Sequence, residues 1–190
     1  MITGRPRLTG VRAFLASRGI SLPEGNPDDP PGTDTVYGVA NRKNVALQRR
    51  LDHEGVSAYA GSRSYLEAAR MIGLRTAVVS ASVNTAIILE RAGLAELIDQ
   101  RIDGTTIETE RLRPKPAPDT LFAACQRLDV EPRRTAAFET TAAGIAAARE
   151  ADFRLVVGID RDGTGDTLHA SDTDLFIKDL ADLFKRDSAG

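Results

Sequence analysis

The chain has 190 residues, of which 27 are acidic and 25 basic, and its formal net charge at pH 7 is −2. Because these charges are interspersed, they exclude the basic stripe of a nucleic-acid-binding protein, and no apolar run is long enough to span a membrane. The polar first residues argue against a secretory signal, while a single cysteine, Cys125, excludes an internal disulfide, so we expect a cytoplasmic protein.

The front part of the chain predicts two helices and no strand. The first helix covers residues 7–18 and the second covers residues 39–53, each with apolar positions at helical spacing. Between them, residues 22–35 are rich in Pro, Asp and Gly and predict a loop. The pattern changes after this part, so we divide the chain into a front part, residues 1–57, and a main part, residues 58–190.

The main part alternates strands with helices. We predict helices at residues 61–73, 84–93, 118–128, 142–151 and at the C-terminus, and strands at residues 75–80, 99–107, 135–139, 155–159 and 175–177. This alternation is typical of an α/β fold, a Rossmann-like parallel sheet with helices on both faces. Such sheets place their chemistry at the carboxyl ends of the strands, which points to Ser80, Lys115, Glu139 and Asp160.

Three of these residues suit phosphate or metal chemistry, although each also has a plain structural interpretation. Ser80 can bind phosphate oxygens before a helix N-terminus, or simply cap that helix. Lys115 lies among three prolines, where a rigid lysine can neutralise a phosphoryl group or can be a solvated loop residue. Glu139 can hold Mg²⁺, or can interact favourably with the dipole of the next helix.

The ordered set is more specific than its parts. A strand ending in Ser80, the Lys-Pro-Ala-Pro-Asp loop at residues 115–119, and a Phe-Glu strand end before the Ala-Gly-Ile-Ala-Ala-Ala helix at residues 143–148 resemble the haloacid dehalogenase (HAD) superfamily. Within it, the chain is similar to the β-phosphoglucomutase subgroup. The front part resembles part of that subgroup's helical cap through residues 4–7, 10–15 and 41–44, and residues 59–62 resemble the hinge back to the core.

The resemblance implies phosphoryl transfer on a small phosphorylated metabolite of the sugar-phosphate type, by hydrolysis or a mutase reaction, through an aspartyl-phosphate and with Mg²⁺. It makes Ser80 and Lys115 ligands of the transferring group and Glu139 a metal ligand. It also assigns substrate contacts to Arg7, Ser82 and Asn84. Arginine suits a distal phosphate because its planar fork binds two oxygens at once, but Arg7 is equally well interpreted as an exposed terminal side chain.

Two departures from the family pattern affect the expected activity. The family's nucleophile lies in an Asp-x-Asp-Gly motif on a central strand before the cap, whereas this chain begins inside the cap. Thr140 also follows Glu139 where the family has a metal-binding Asp, and a hydroxyl brings no charge to Mg²⁺. A missing central strand leaves buried backbone groups unpaired, at about 1–3 kcal/mol each. We therefore expect a fragment or shortened gene product that folds poorly and has little or no activity.

Two alternatives remain open. Residues 160–164 spell Asp-Arg-Asp-Gly-Thr after an apolar strand, so a circularly permuted phosphatase could use Asp160 and Asp162. We favour a chance occurrence, because the segments around this motif match the ordinary fifth strand and ending of the subgroup. The other alternative is a domain without catalysis that binds phosphate through Ser80, Lys115 and Arg7.

Overall fold

The computed structural model describes residues 4–161 and 172–184 of the chain. The chain divides into two compact units, Met1–Val56 and Ser57–Gly190. In the described ranges, no helix is both long and apolar enough to cross a membrane.

The first unit is a pair of packed helices, α1 (Arg7–Ser17) and α2 (Val36–Glu54). Thr35 caps α2, because its hydroxyl accepts a hydrogen bond from the N–H of Gly38 at 2.9 Å. The Thr35 hydroxyl in turn donates to Asp29 at 2.6 Å, which ties the preceding loop to the start of the helix. The buried core between the helices consists of Val11, Leu15, Val36 and Ala40.

The second unit alternates helices and strands. In chain order its main elements are α3 (Ala60–Met71), β1 (Ala77–Val79), α4 (Thr85–Arg91), β2 (Gln100–Ile102), α5 (Gly104–Thr109), α6 (Asp119–Leu128), β3 (Ala136–Glu139), α7 (Ala142–Glu150), β4 (Leu155–Ile159) and β5 (Leu175–Ile177). Short 3-10 turns lie at Ala95–Leu97, Pro132–Arg134 and Leu180–Phe184. Every strand pair is parallel, which confirms the predicted α/β class.

The strands form two sheets. One contains β1 and β2, with Val79 opposite Ile102; the other has the order β3-β4-β5, with Glu139 opposite Gly158. Within the described ranges β1 pairs only with β2, and β3 only with β4. One edge of β1 and one edge of β3 therefore have no strand partner in this part of the chain.

Apolar side chains pack on both faces of the larger sheet. Successive residues of β4 point to opposite faces, so Val156 and Val157 lie in different clusters. On the first face α6 and α7 cover Val156, and Val79 of β1 packs against the same cluster. On the other face Tyr65 of α3 meets Phe138 of β3 edge-on, with ring centroids 5.2 Å apart. Helices thus cover both faces, as expected for a parallel sheet.

The strand predicted at residues 99–107 is wrong in its second half. The observed strand ends at Ile102, and α5 follows at once. The reason is Asp103, whose carboxylate accepts a hydrogen bond from the N–H of Thr106 at 3.1 Å and so caps a helix. The predicted C-terminal helix is described only as the 3-10 turn Leu180–Phe184.

Asp103 gives the fold a pH-dependent contribution. Burial raises its pKa, but the Thr106 N–H and the Arg101 guanidinium lower it more, so the pKa lies below its ordinary value. A depressed folded-state pKa stabilises the protein above the unfolded pKa of about 3.9, and this contribution is lost as pH falls through the folded value. We expect Asp103→Asn to lower the free energy of unfolding by about 1 kcal/mol at pH 7.

Urea denaturation at pH 7 and at pH 3 measures this effect. The difference between Asp103→Asn and the parent chain should shrink at pH 3, because this pH lies below the unfolded pKa of about 3.9 and protons then bind the unfolded chain preferentially. Asp152→Asn serves as the control, since that aspartate pairs with Arg133 on an exposed surface. A difference that stays constant with pH would contradict the prediction.

Candidate active site

The loop after β1 is built from successive side chain–backbone turns. The Ser80 hydroxyl accepts a hydrogen bond from the N–H of Ser82 at 3.2 Å, and the Ser82 hydroxyl accepts one from the N–H of Asn84 at 3.2 Å. The N–H of Gly104 donates to the Ser82 carbonyl at 3.1 Å, so the turn after β2 supports this loop. Ser80, Ser82 and Asn84 are all partly buried and lie at the carboxyl end of β1.

Lys115 lies between the carboxyl ends of the two sheets. Its ammonium donates to the Val79 carbonyl of β1 at 3.4 Å and forms an ion pair with the Glu139 carboxylate of β3. The exposed fractions of the two charged side chains are only 16% and 11%. Lys115 is therefore not a solvated loop lysine, and its ammonium contacts the backbone carbonyl of Val79, the residue that precedes Ser80.

The loop that carries Lys115 is closed by a second ion pair. The Arg113 guanidinium binds Asp119 with an N–O distance of 2.7 Å, and the Arg113 N–H donates to the same carboxylate at 3.1 Å. These hydrogen bonds from Arg113 hold the pKa of Asp119 below its ordinary value. Together with Pro114 and Pro116, this closure limits the conformations of the loop and so helps to fix the lysine.

Glu139 is held at the start of α7. Thr141 caps this helix by accepting a hydrogen bond from the N–H of Gly144 at 3.1 Å. The Glu139 carboxylate lies so close to Gly144 that a Cβ at this position would overlap with Oε2. One carboxylate oxygen thus pairs with Lys115, while the other lies over the first turn of α7, where negative charge is favourable.

Two of the other predicted site residues, Asp160 and Arg7, lie in the described part of the chain. Asp160 follows β4, and its N–H donates to the Ile177 carbonyl of β5 at 2.9 Å. The permuted arrangement requires this strand between β1 and β3, whereas it lies between β3 and β5. Asp162 falls outside the described residues. Arg7 begins α1 in the first unit and is partly buried.

The described side chains do not by themselves fit a Mg²⁺ ion. Glu139 is the carboxylate at this strand end, and the next residue is the exposed Thr140. In the part of the chain that the structure describes, no group of three His, Cys, Asp or Glu residues is arranged to hold a metal. Mg²⁺ prefers several hard oxygen ligands in octahedral geometry, and the Glu139 carboxylate is already paired with Lys115.

Sequence reasoning did not find two features near these strand ends. The Val79 carbonyl is a partner of Lys115, but a backbone acceptor leaves no signal in a sequence. Arg161 stands in the sequence as part of an acidic motif, yet its guanidinium carbon lies 3.7 Å from the centroid of the Tyr59 ring and its guanidinium donates to Asp179 at 2.8 Å. It also reaches the Ser62 hydroxyl at 3.2 Å, so it ties the end of β4 to the start of α3.

Comparison with known proteins identifies the family. A family model described as haloacid dehalogenase-like hydrolase matches residues 8–152. The chain belongs to this family. A relative named Beta-phosphoglucomutase, from Mycobacterium bovis, is 44% identical over 185 residues, which cover 96% of this chain and 71% of that protein.

Solved structures agree with this assignment. A beta-phosphoglucomutase from Clostridium difficile matches with a TM-score of 0.76 and 19% identity, over 96% of this chain and 74% of that one, which shows the HAD-like fold. A HAD family hydrolase from Deinococcus radiodurans matches with a TM-score of 0.67 and 27% identity, over 96% of this chain and 76% of that one. The latter structure holds bound phosphate and sodium.

Proposed function

We propose that this chain carries the phosphate-binding part of a HAD-type phosphotransferase site that acts on a small phosphorylated sugar, by hydrolysis or a mutase reaction. The observation that supports this function is the position of Lys115, whose largely buried ammonium contacts the Val79 carbonyl at the end of β1, one residue before Ser80, and Glu139 at the end of β3. The 44% identity to a protein named Beta-phosphoglucomutase supports a sugar phosphate as the substrate class.

In this proposal Lys115 and Ser80 bind the phosphoryl group that is transferred. The ammonium neutralises charge on the phosphoryl oxygens as the transition state forms. The Ser80 hydroxyl accepts the Ser82 N–H and can still donate its own hydrogen to a phosphoryl oxygen. Ser82 and Asn84, on the same loop, contact the rest of the substrate.

The remaining assignments complete the proposed domain organisation. The first unit is a partial helical cap, in which Arg7 is the candidate ligand of a phosphate, and the second unit is the catalytic core. Among the described residues, Glu139 would contribute to a Mg²⁺ site, but Thr140 beside it supplies no second carboxylate. We therefore expect phosphate binding to be easier to detect than turnover.

Titration of the purified chain with inorganic phosphate, followed by isothermal calorimetry, tests this function. We expect Lys115→Ala to weaken phosphate binding by at least about tenfold, since charge-assisted hydrogen bonds contribute about 1.5–3 kcal/mol each. Ser80→Ala should weaken it by several-fold. Arg133→Ala is the control, because it removes one positive charge near the opposite end of β3. Equal affinity in the parent chain and Lys115→Ala would refute the proposal.

A second candidate is phosphate binding without catalysis, which Thr140 favours because it leaves Glu139 without an adjacent carboxylate. Turnover of p-nitrophenyl phosphate with Mg²⁺ separates the two candidates. Binding that Lys115→Ala abolishes, with no turnover in any variant, would favour the binding domain. Turnover that Asp160→Asn abolishes would instead support the permuted arrangement.

A further inference from the structure

The ammonium of Lys115 is not a free positive charge. It is paired with Glu139, and both side chains are largely withdrawn from solvent. Opposite charges that are in contact and poorly screened cancel most of each other's field, so this pair presents little net charge to a ligand. An anion that approaches Lys115 also approaches the carboxylate.

The Glu139 carboxylate has a second favourable contact besides Lys115. Its second oxygen lies over Gly144, in the first turn of α7, where the helix N-terminus favours negative charge. The position of the carboxylate near Lys115 is therefore favoured by the helix as well as by the ion pair. A phosphate that binds Lys115 while Glu139 keeps this position lies close to a negative charge.

From this geometry we propose that the Glu139 carboxylate competes with a bound anion for the Lys115 ammonium and so sets the affinity of the site for anions. This inference rests on the proposed phosphate-binding role of Lys115. It adds that Glu139 lowers the affinity for phosphate in the absence of metal ions. Glu139 acts here through Lys115, as a positioning and affinity-setting residue that does not itself bind the anion.

Calorimetric titration with inorganic phosphate in the presence of EDTA tests the inference. We expect Glu139→Gln to bind phosphate at least about tenfold more tightly than the parent chain, because it removes a like charge a few ångströms from the ligand. Glu139→Asp, which keeps the charge but withdraws it by one methylene, should fall between the two. Glu139→Gln combined with Lys115→Met should lose the gain, since the cation that binds the anion is gone.

Glu110→Gln is the matched control. It also removes one negative charge from an ion pair, but its partner Arg127 and the glutamate itself are more exposed, at 35% and 44%. We expect its phosphate affinity to stay within about twofold of the parent, as for other exposed pairs. Far-UV circular dichroism verifies that each variant is folded. If Glu139→Gln does not fold, the phosphate affinity of Glu139→Asp tests the inference instead.

The outcomes separate this inference from the proposed function. If Lys115→Ala loses phosphate binding while Glu139→Gln and Glu139→Asp bind no more tightly than the parent, the inference is wrong and the proposed function stands. If Lys115→Ala binds as well as the parent, or if none of the variants binds phosphate, both are wrong. If phosphate affinity rises as much in Glu110→Gln as in Glu139→Gln, the inference about Glu139 is also wrong, because the change in net charge alone would then explain both increases.

Discussion

We expect Lys115→Met to lower the free energy of unfolding by about 3 kcal/mol. Methionine is similar in length to lysine but leaves the Glu139 carboxylate, whose exposed fraction is 11%, without its cation. Removing one partner of a buried ion pair costs more than the pair contributes, because the remaining charge is desolvated and uncompensated. The Val79 carbonyl loses a donor as well. Urea denaturation followed by circular dichroism measures the change.

The control for this prediction is the double variant Lys115→Met, Glu139→Gln. With both charges removed no uncompensated carboxylate remains, so the double variant should recover most of the lost stability. Should the double variant be as unstable as Lys115→Met alone, the cost would lie in lost packing by the lysine stem and not in the unpaired charge.

Gly144→Ala should lower the free energy of unfolding by about 2 kcal/mol. In an ordinary helix position the same change is favourable, by roughly 0.5–1 kcal/mol, because alanine loses less conformational entropy. Here the new Cβ would overlap with the Glu139 carboxylate, which cannot retreat without leaving Lys115. The measurement is again urea denaturation at pH 7.

Gly144→Ala in a Glu139→Ala background separates overlap from helix propensity. With the carboxylate removed, the glycine-to-alanine change should become neutral or stabilising, and the coupling between the two positions should be large. A stabilising effect of Gly144→Ala in the parent chain would show that the carboxylate has room to move and would weaken the case for a fixed Glu139.

The sequence predicted most elements because their patterns are local. Both strands at residues 155–159 and 175–177 match the observed bounds, since short apolar runs between turn residues define them. Helix α5 was not predicted, because threonine and isoleucine at residues 105–107 favour a strand locally. The Asp103 cap outweighed that preference, and its effect depends on burial that a sequence does not reveal.

The candidate site was only partly predictable. Parallel-sheet topology places Ser80 and Glu139 at the carboxyl ends of β1 and β3, and that much follows from the order of the elements. The choice between a solvated and a functional Lys115 stayed open, because its two partners lie 36 and 24 residues away and one is a backbone carbonyl. The composition of the helix at residues 142–150 also did not indicate that Gly144 leaves space for the Glu139 carboxylate.

One edge of β1 and one edge of β3 lack a strand partner in the described ranges, and Lys115 lies at the carboxyl ends of both strands. Its position therefore also bears on self-association of the chain. A row of unpaired N–H and C=O groups is a template on which a strand from another molecule can add. Such a strand, entering beside Val79, would have to displace or bury the Lys115 ammonium together with the Glu139 carboxylate. Inward-pointing charges protect natural sheet edges in this way, so we expect this ion pair to oppose the addition of a strand from another molecule at these edges.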